Sequence, residues 1–341
     1  MSQQNLAEEL TSGFLRYIVK VSENRSFIRT MQPSEPILAY LSMRMMYQGG
    51  GKMRRDLLNA LFRTATEGFI NIGDIGEVLA VLVLLFSFDK SLDISFSRMD
   101  HNPSVKLGGV PISLFLSTSL PRTVFSEMEG RVKSKPEMEC LWRGCIFFNH
   151  MVRIRRRQLL EKTLRMLFNR GAAIILPVNF TGADILIPVF IPEDDKMSYI
   201  IIQVKNRKED SITGDKTKMD AEVGMKQAAI HLPTVKAHLA LMMCLRCTNG
   251  GSRVLYPKLI ERGQGRTASA GYRWNDMNRI VVLLCGLTLS MYPGLQFKNE
   301  SEMHDAAESI IVMKQMLWCT AEDIGEEKTP FYQNLLPWDY E

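Results

Sequence analysis

With 341 residues, 46% of them hydrophobic and 23% charged, the chain has the length for one large or two modest cores and the balance of a soluble globular protein. The unbroken apolar run Val78 to Phe86 is too short for a bilayer span of about twenty residues, and MSQQNLAEEL lacks the apolar core of a signal peptide. Six irregularly spaced cysteines then fit reduced thiols rather than a secreted disulfide scaffold, so an intracellular location, nucleus or cytoplasm, is expected.

The net charge of +5 is unevenly spread. Met151 to Arg170 carries seven Lys or Arg (Arg153, Arg155, Arg156, Arg157, Lys162, Arg165, Arg170) against Glu161, whereas Ser301 to Glu341 carries nine acids against Lys314 and Lys328. A basic block suits a nucleic-acid backbone; taken as an isolated Arg run, a solvated helix face or a nuclear-import patch is the simpler account.

Residues 1 to about 50 read as helical, with Phe14, Ile18 and Val21 on one face and a break at Pro33 to Pro36. Gly49-Gly50-Gly51-Lys52 lacks the upstream glycine and following hydroxyl of a phosphate loop, so it is expected to be a flexible turn. Leu57 to Lys90 is the strongest helical segment, broken at Gly73-Asp74-Ile75-Gly76 and resuming in a run that is apolar all round, a buried helix. Ser91 to Glu139 reads as a less regular insertion with strand candidates at Leu92 to Phe96 and Val110 to Leu116, and Asp100-His101 as a surface pair.

Arg155 to Asn169 repeats apolar residues at helical spacing and ends before Gly171, where helices commonly place a glycine. Three apolar runs follow, Ala172 to Val178, Ala183 to Phe190 and Tyr199 to Val204, separated by Thr181-Gly182 and by Pro192 to Lys196. Short Ile, Val and Leu runs bounded by Gly, Pro and Asp favour strands. Alternation along a strand puts Gln203 and Lys205 on one face, so Asp184, Gln203 and Lys205 can meet at one edge of an oily sheet. Asp184 supplies the oxygen ligand that a hard cation needs, and a lysine beside it can orient water or stabilise developing negative charge.

These residues resemble the PD-(D/E)xK, or restriction-endonuclease-like, nuclease superfamily, over roughly Arg155 to Cys247. The resemblance implies an α/β fold with a core of helix, three strands, helix and strand. It implies Mg²⁺ or Mn²⁺ as cofactor and phosphodiester hydrolysis as activity, with nucleic acid, DNA rather than RNA, as partner. Asp184 matches the first metal-binding acid, Lys205 the lysine, and Gln203 the position usually held by Asp or Glu. A neutral amide there leaves the site one negative charge short, so a silent nuclease fold that binds nucleic acid or protein is the alternative function. Ala183 stands where the motif has proline. The segments GDIGEVLAVLVLLFSFDK and RGAAI…GADILIP…IIIQVKN also resemble a fungal group of this type.

The superfamily's first core helix often contributes a Glu, which makes Glu161 and Glu77 rivals as third ligand. Glu161 could equally pair with Arg157 or Arg165 four residues away, and Glu77 could simply favour the N-terminal end of its own helix. Arg155, Arg156, Arg157, Arg207, Lys208 and Lys226 are the candidate nucleic-acid contacts.

Asn206 to Asp220 reads as a polar loop at the mouth of the site, Ala221 to His231 as a helix and His238 to Cys247 as the fourth strand. Cys244 and Cys247 form a CxxC, but three residues apart on a strand they face opposite sides, and Cys140 and Cys145 are poorly matched partners; buried thiols are expected rather than zinc. Gly250 to Gly271 reads as a loop, Arg279 to Leu289 as a buried strand, and Trp338 and Tyr340 close an acidic tail. The domains expected are an N-terminal mostly helical lobe over 1–150, a nuclease-like core over 151–300 and an acidic extension over 301–341.

Overall fold

The computed structural model describes residues 17–21, 28–31, 52–66, 72–97, 109–133, 135–154, 159–177, 180–206, 228, 231–247, 251–255, 279–295 and 309–317. Within them the fold is mixed α/β: helices pack on both faces of a nine-stranded mixed sheet. Strands β1 (Tyr17–Val21) and β2 (Ile28–Met31) form a separate antiparallel pair. The helical reading of residues 1–50 is thus corrected for this stretch: YIVKV is rich in β-branched residues, which pack well on a pleated surface and lose side-chain freedom in a helix.

Helix α1 (Lys52–Thr66) is followed by α2 (Ile72–Ser97). Two expectations change at α2. It runs straight through Gly73 to Gly76, because at Gly76 the missing side chain admits Asn206: a Cβ built there would stand 2.7 Å from the Asn206 Cβ. It also continues through Leu92 to Phe96, which is helix rather than strand. As its composition implies, α2 is enclosed; Leu79, Ala80, Val83 and Phe88 are fully buried. Its buried hydroxyls are satisfied locally, Ser87 on the Val83 carbonyl at 2.8 Å and Ser91 on the Ser87 carbonyl at 2.7 Å.

The expected insertion is mostly helical. After a two-residue strand β3 (Val110–Pro111) come α3 (Ile112–Ser119), α4 (Arg122–Val132) and α5 (Pro136–Arg143). Three prolines of this stretch begin helices: Pro111 and Pro121 are N-caps, and Pro136 is the first residue of α5, where the missing N–H costs nothing. Strands β4 (Cys145–Ile146) and β5 (His150–Arg153) lead to α6 (Glu161–Asn169), and Gly171, just past its end, has φ +64°.

Then come β6 (Ala172–Ile175), β7 (Ile185–Ile191) and β8 (Lys196–Lys205), successively antiparallel. Strand β9 (His238–Cys244) lies parallel to β8, β11 (Arg279–Cys285) parallel to β9, and β10 (Gly251–Leu255) antiparallel to β11 at the sheet's end. β10 corrects the loop expected from Gly250 onward. The strand order is β10-β11-β9-β8-β7-β4-β3, with β6 also paired to β7 and β5 to β6.

Alternation along the strands gives the sheet two apolar faces. Ile185, Ile187, Ile200, Ile202, Leu239 and Leu241 pack under α2, α3 and a C-terminal helix α7 (309–317) in a cluster whose members run from Leu58 to Leu317, on both sides of the boundaries expected at 150 and 300. Leu186, Tyr199, Ile201, Ala240 and Met242 pack under α6, together with Ala228. With both faces covered, the central strands read as continuous apolar runs rather than alternating ones.

Candidate metal and phosphodiester site

The carboxyl ends of β5, β6, β8, β9 and β11 point the same way, and the N-terminus of α2 and the start of β7 arrive at that end of the sheet. In open α/β sheets, carboxyl strand ends are where ligands bind. Asp184, just ahead of β7, is held there by three bonds. Its N–H donates to the Ile202 carbonyl at 2.8 Å and its own carbonyl accepts from Leu176 N–H at 2.8 Å. Its Oδ2 accepts from Val204 N–H at 2.6 Å, so the side chain folds over the end of β8. Burial pushes the Asp184 carboxyl above the usual range, opposed by the Val204 N–H and by the charge of Lys205. One N–H bond leaves lone pairs of this carboxylate for a cation.

Gln203 lies one residue before that N–H. It is 7% exposed, and its Oε1 has no hydrogen-bond partner among the described residues. An orphaned buried amide oxygen costs about 1–3 kcal/mol, and beside a buried carboxylate it suits a cation or an ordered water. Lys205, the last residue of β8, stands on the same side of the strand as Gln203, in register with Cys244 of β9.

Glu77 joins from α2. Burial raises its pKa, the charges of Asp184 and then Asp74 raise it further, and Arg153 lowers it. Two acids whose charges oppose each other, with an orphaned amide oxygen at the same strand end, are a set that a divalent cation would relieve. Among the described residues no group of three or more His, Cys, Asp or Glu stands at metal-binding spacing.

Glu161 is not brought to this end. Its Oε1 accepts from Met197 N–H at 3.2 Å, near the start of β8. Six residues at about 3.3 Å each separate Met197 from Gln203, roughly 20 Å. Of the two rivals, the geometry leaves Glu77. Arg155, Arg156, Arg157, Arg207, Lys208 and Lys226 lie outside the described residues, as do Asp100 and His101 and most of the expected helix 221–231.

Arg153, counted in the sequence only as one of the basic block, is a site neighbour that the spacing gave no reason to single out. At the end of β5, its guanidinium is 3.9 Å from the Glu77 carboxylate. The cysteines correct a geometric expectation: β9 ends at Cys244 and turns at Leu245-Arg246, so Cys247 comes back to the apolar cluster that holds Cys244 and Cys285. The Cys285 thiol is pushed well above the ordinary range, first by its hydrogen bond with Cys244 and then by burial.

No curated protein and no solved structure matches the chain. A family model described as a domain of unknown function (DUF8736) matches residues 1–245, a span that takes in Glu77, Arg153, Asp184, Gln203 and Lys205. That span is well over half of the 341 residues, and the chain belongs to this family.

Proposed function

We propose that the protein is a metal-dependent nuclease of the PD-(D/E)xK type, hydrolysing phosphodiester bonds of DNA, or of RNA, inside the cell. The observation that carries this reading is the convergence of Asp184, Glu77, the unpartnered Gln203 oxygen and Lys205 at one strand end. The chain order of α6, β6, β7, β8 and later β9 supports it as well, since it follows the superfamily's helix and three strands, with the last strand after the span 207–227.

Asp184, Glu77 and Gln203 would hold Mg²⁺ or Mn²⁺ through their oxygens. A cation so bound supplies Lewis-acid polarisation of the phosphoryl oxygen and a lowered pKa for water. Asp184, fixed by the Val204 N–H, presents its carboxylate without having to reorganise. Lys205 stabilises the negative charge developing on the phosphoryl oxygens and orients the attacking water. Enclosure of Gln203 keeps bulk water from the inner side, which strengthens every charge interaction there.

The test is cleavage of labelled single- and double-stranded DNA and RNA with Mn²⁺, Mg²⁺ or EDTA. Wild type should cut with metal, and Lys205→Ala should lose about a hundredfold or more of the rate; equal rates in the two proteins would sink the assignment. Gln203 itself favours a second reading, a silent nuclease fold that binds without turnover. In that case wild type binds nucleic acid in a salt-sensitive manner and does not cut, and Gln203→Glu, by restoring a charge, switches cutting on.

A further inference from the structure

Arg153 ends β5 at the same end of the sheet as the acids. In the order of strands at the site, β6 separates β5 from β7, so the Arg153 backbone is two strand spacings, about 10 Å, from that of Asp184. Lys205, on β8, is one strand beyond Asp184 on the other side. Along the sheet the two cations therefore stand on either side of Asp184. They also come from opposite sides of the sheet: Met151, two residues before Arg153, packs in the cluster under α2, whereas Lys205 follows the alternation of Tyr199 and Ile201 in the cluster under α6.

The hold on Arg153 is weak. Its partner distance is 3.9 Å, and the side chains of Arg153 and Glu77 are 55% and 31% exposed, so solvent screens the pair. Both side chains reach solvent. A guanidinium freed there offers a planar fork of donors matched to phosphate oxygens.

We infer that Arg153 is the phosphate-gripping residue of this site, held on Glu77 in the metal-free protein and released to the nucleic-acid backbone when that carboxylate is engaged elsewhere. The inference rests on the nuclease-type reading of the site. It makes Arg153 a binding residue of the substrate strand and couples its availability to the state of Glu77.

The coupling is readable without turnover, from anisotropy of a fluorescent single-stranded oligonucleotide in EDTA. In the Glu77→Gln background, where no carboxylate holds Arg153, Arg153→Ala should weaken binding about tenfold and lower the salt slope by about one, with Arg153→Lys intermediate because it keeps the charge and loses the fork; with Glu77 intact the loss should be smaller. Glu77→Gln should tighten binding severalfold through the freed Arg153, and much of that gain should vanish in the Glu77→Gln, Arg153→Ala double variant. Equal gains from Glu77→Gln with and without Arg153 would overturn the coupling, and unchanged affinity on adding Arg153→Ala to Glu77→Gln would overturn the grip while leaving the nuclease reading intact. A wild type that neither binds the oligonucleotide nor cuts any substrate overturns both together.

Discussion

Asp184 and Glu77 are held above the ordinary carboxylate range by burial and, for Glu77, by like charge. A raised folded-state pKa means that stability from this source is full below the ordinary carboxylate range and is lost as pH rises through the raised values. The metal-free protein is therefore destabilised by these acids at neutral pH. Asp184→Asn, which keeps an oxygen for the Val204 N–H, should raise apo stability at pH 7 by about 1 kcal/mol. Urea unfolding in EDTA should show that gain shrinking toward pH 4, and a gain independent of pH would contradict the assignment. His238 works with the opposite sign: burial, then the charge of Arg279, depresses its pKa to about 3, so its contribution is present above its unfolded value near 6.5 and lost as pH falls below it. Between pH 7.5 and 5.5 wild type should lose about 1 kcal/mol more than His238→Gln.

Elements place these residues, and their legibility differs with length. The runs around Asp184 and Gln203-Val204-Lys205 stood out because β7, ILIPVFI, is apolar throughout and β8, KMSYIIIQVK, carries three consecutive isoleucines, both set off by turn residues. β3, β4 and β5, two to four residues long, are too short to show a period, and with β5 went the placement of Arg153. Gly76 was misread for a different reason. Locally a glycine breaks a helix, and only the tertiary approach of Asn206 explains it. Gly76→Ala should consequently destabilise by about 1–3 kcal/mol in thermal unfolding despite alanine's better helix propensity; a rise in Tm would show that Asn206 yields freely. The thiols follow the same logic, since the turn after Cys244 is what returns Cys247 to the core. Buried and hydrogen-bonded, Cys244 and Cys285 should react with an aromatic disulfide reagent at least about a hundredfold more slowly in native than in urea-unfolded protein.

At the scale of the molecule, the sheet sets one end apart for chemistry and leaves the other to structure. Carboxyl strand ends gather Asp184, Gln203 and Lys205 beside the start of α2, while Glu161, Tyr199 and His238 secure the opposite end of β8 and β9. The choice between Glu161 and Glu77 was closed to sequence because it depends on which helix reaches which end, a long-range fact. No helix among the described residues is long and apolar enough to cross a membrane, α2 included, since acids and a lysine interrupt it. The central claim, that the orphaned amide oxygen and the two opposed carboxylates form a divalent-cation site, is tested most directly by isothermal titration of Mn²⁺ into wild type, Asp184→Asn, Glu77→Gln and Glu161→Gln. The account predicts binding that is lost in Asp184→Asn, weakened in Glu77→Gln and unchanged in Glu161→Gln. Binding of equal strength in Asp184→Asn and wild type, or none in wild type, would contradict it.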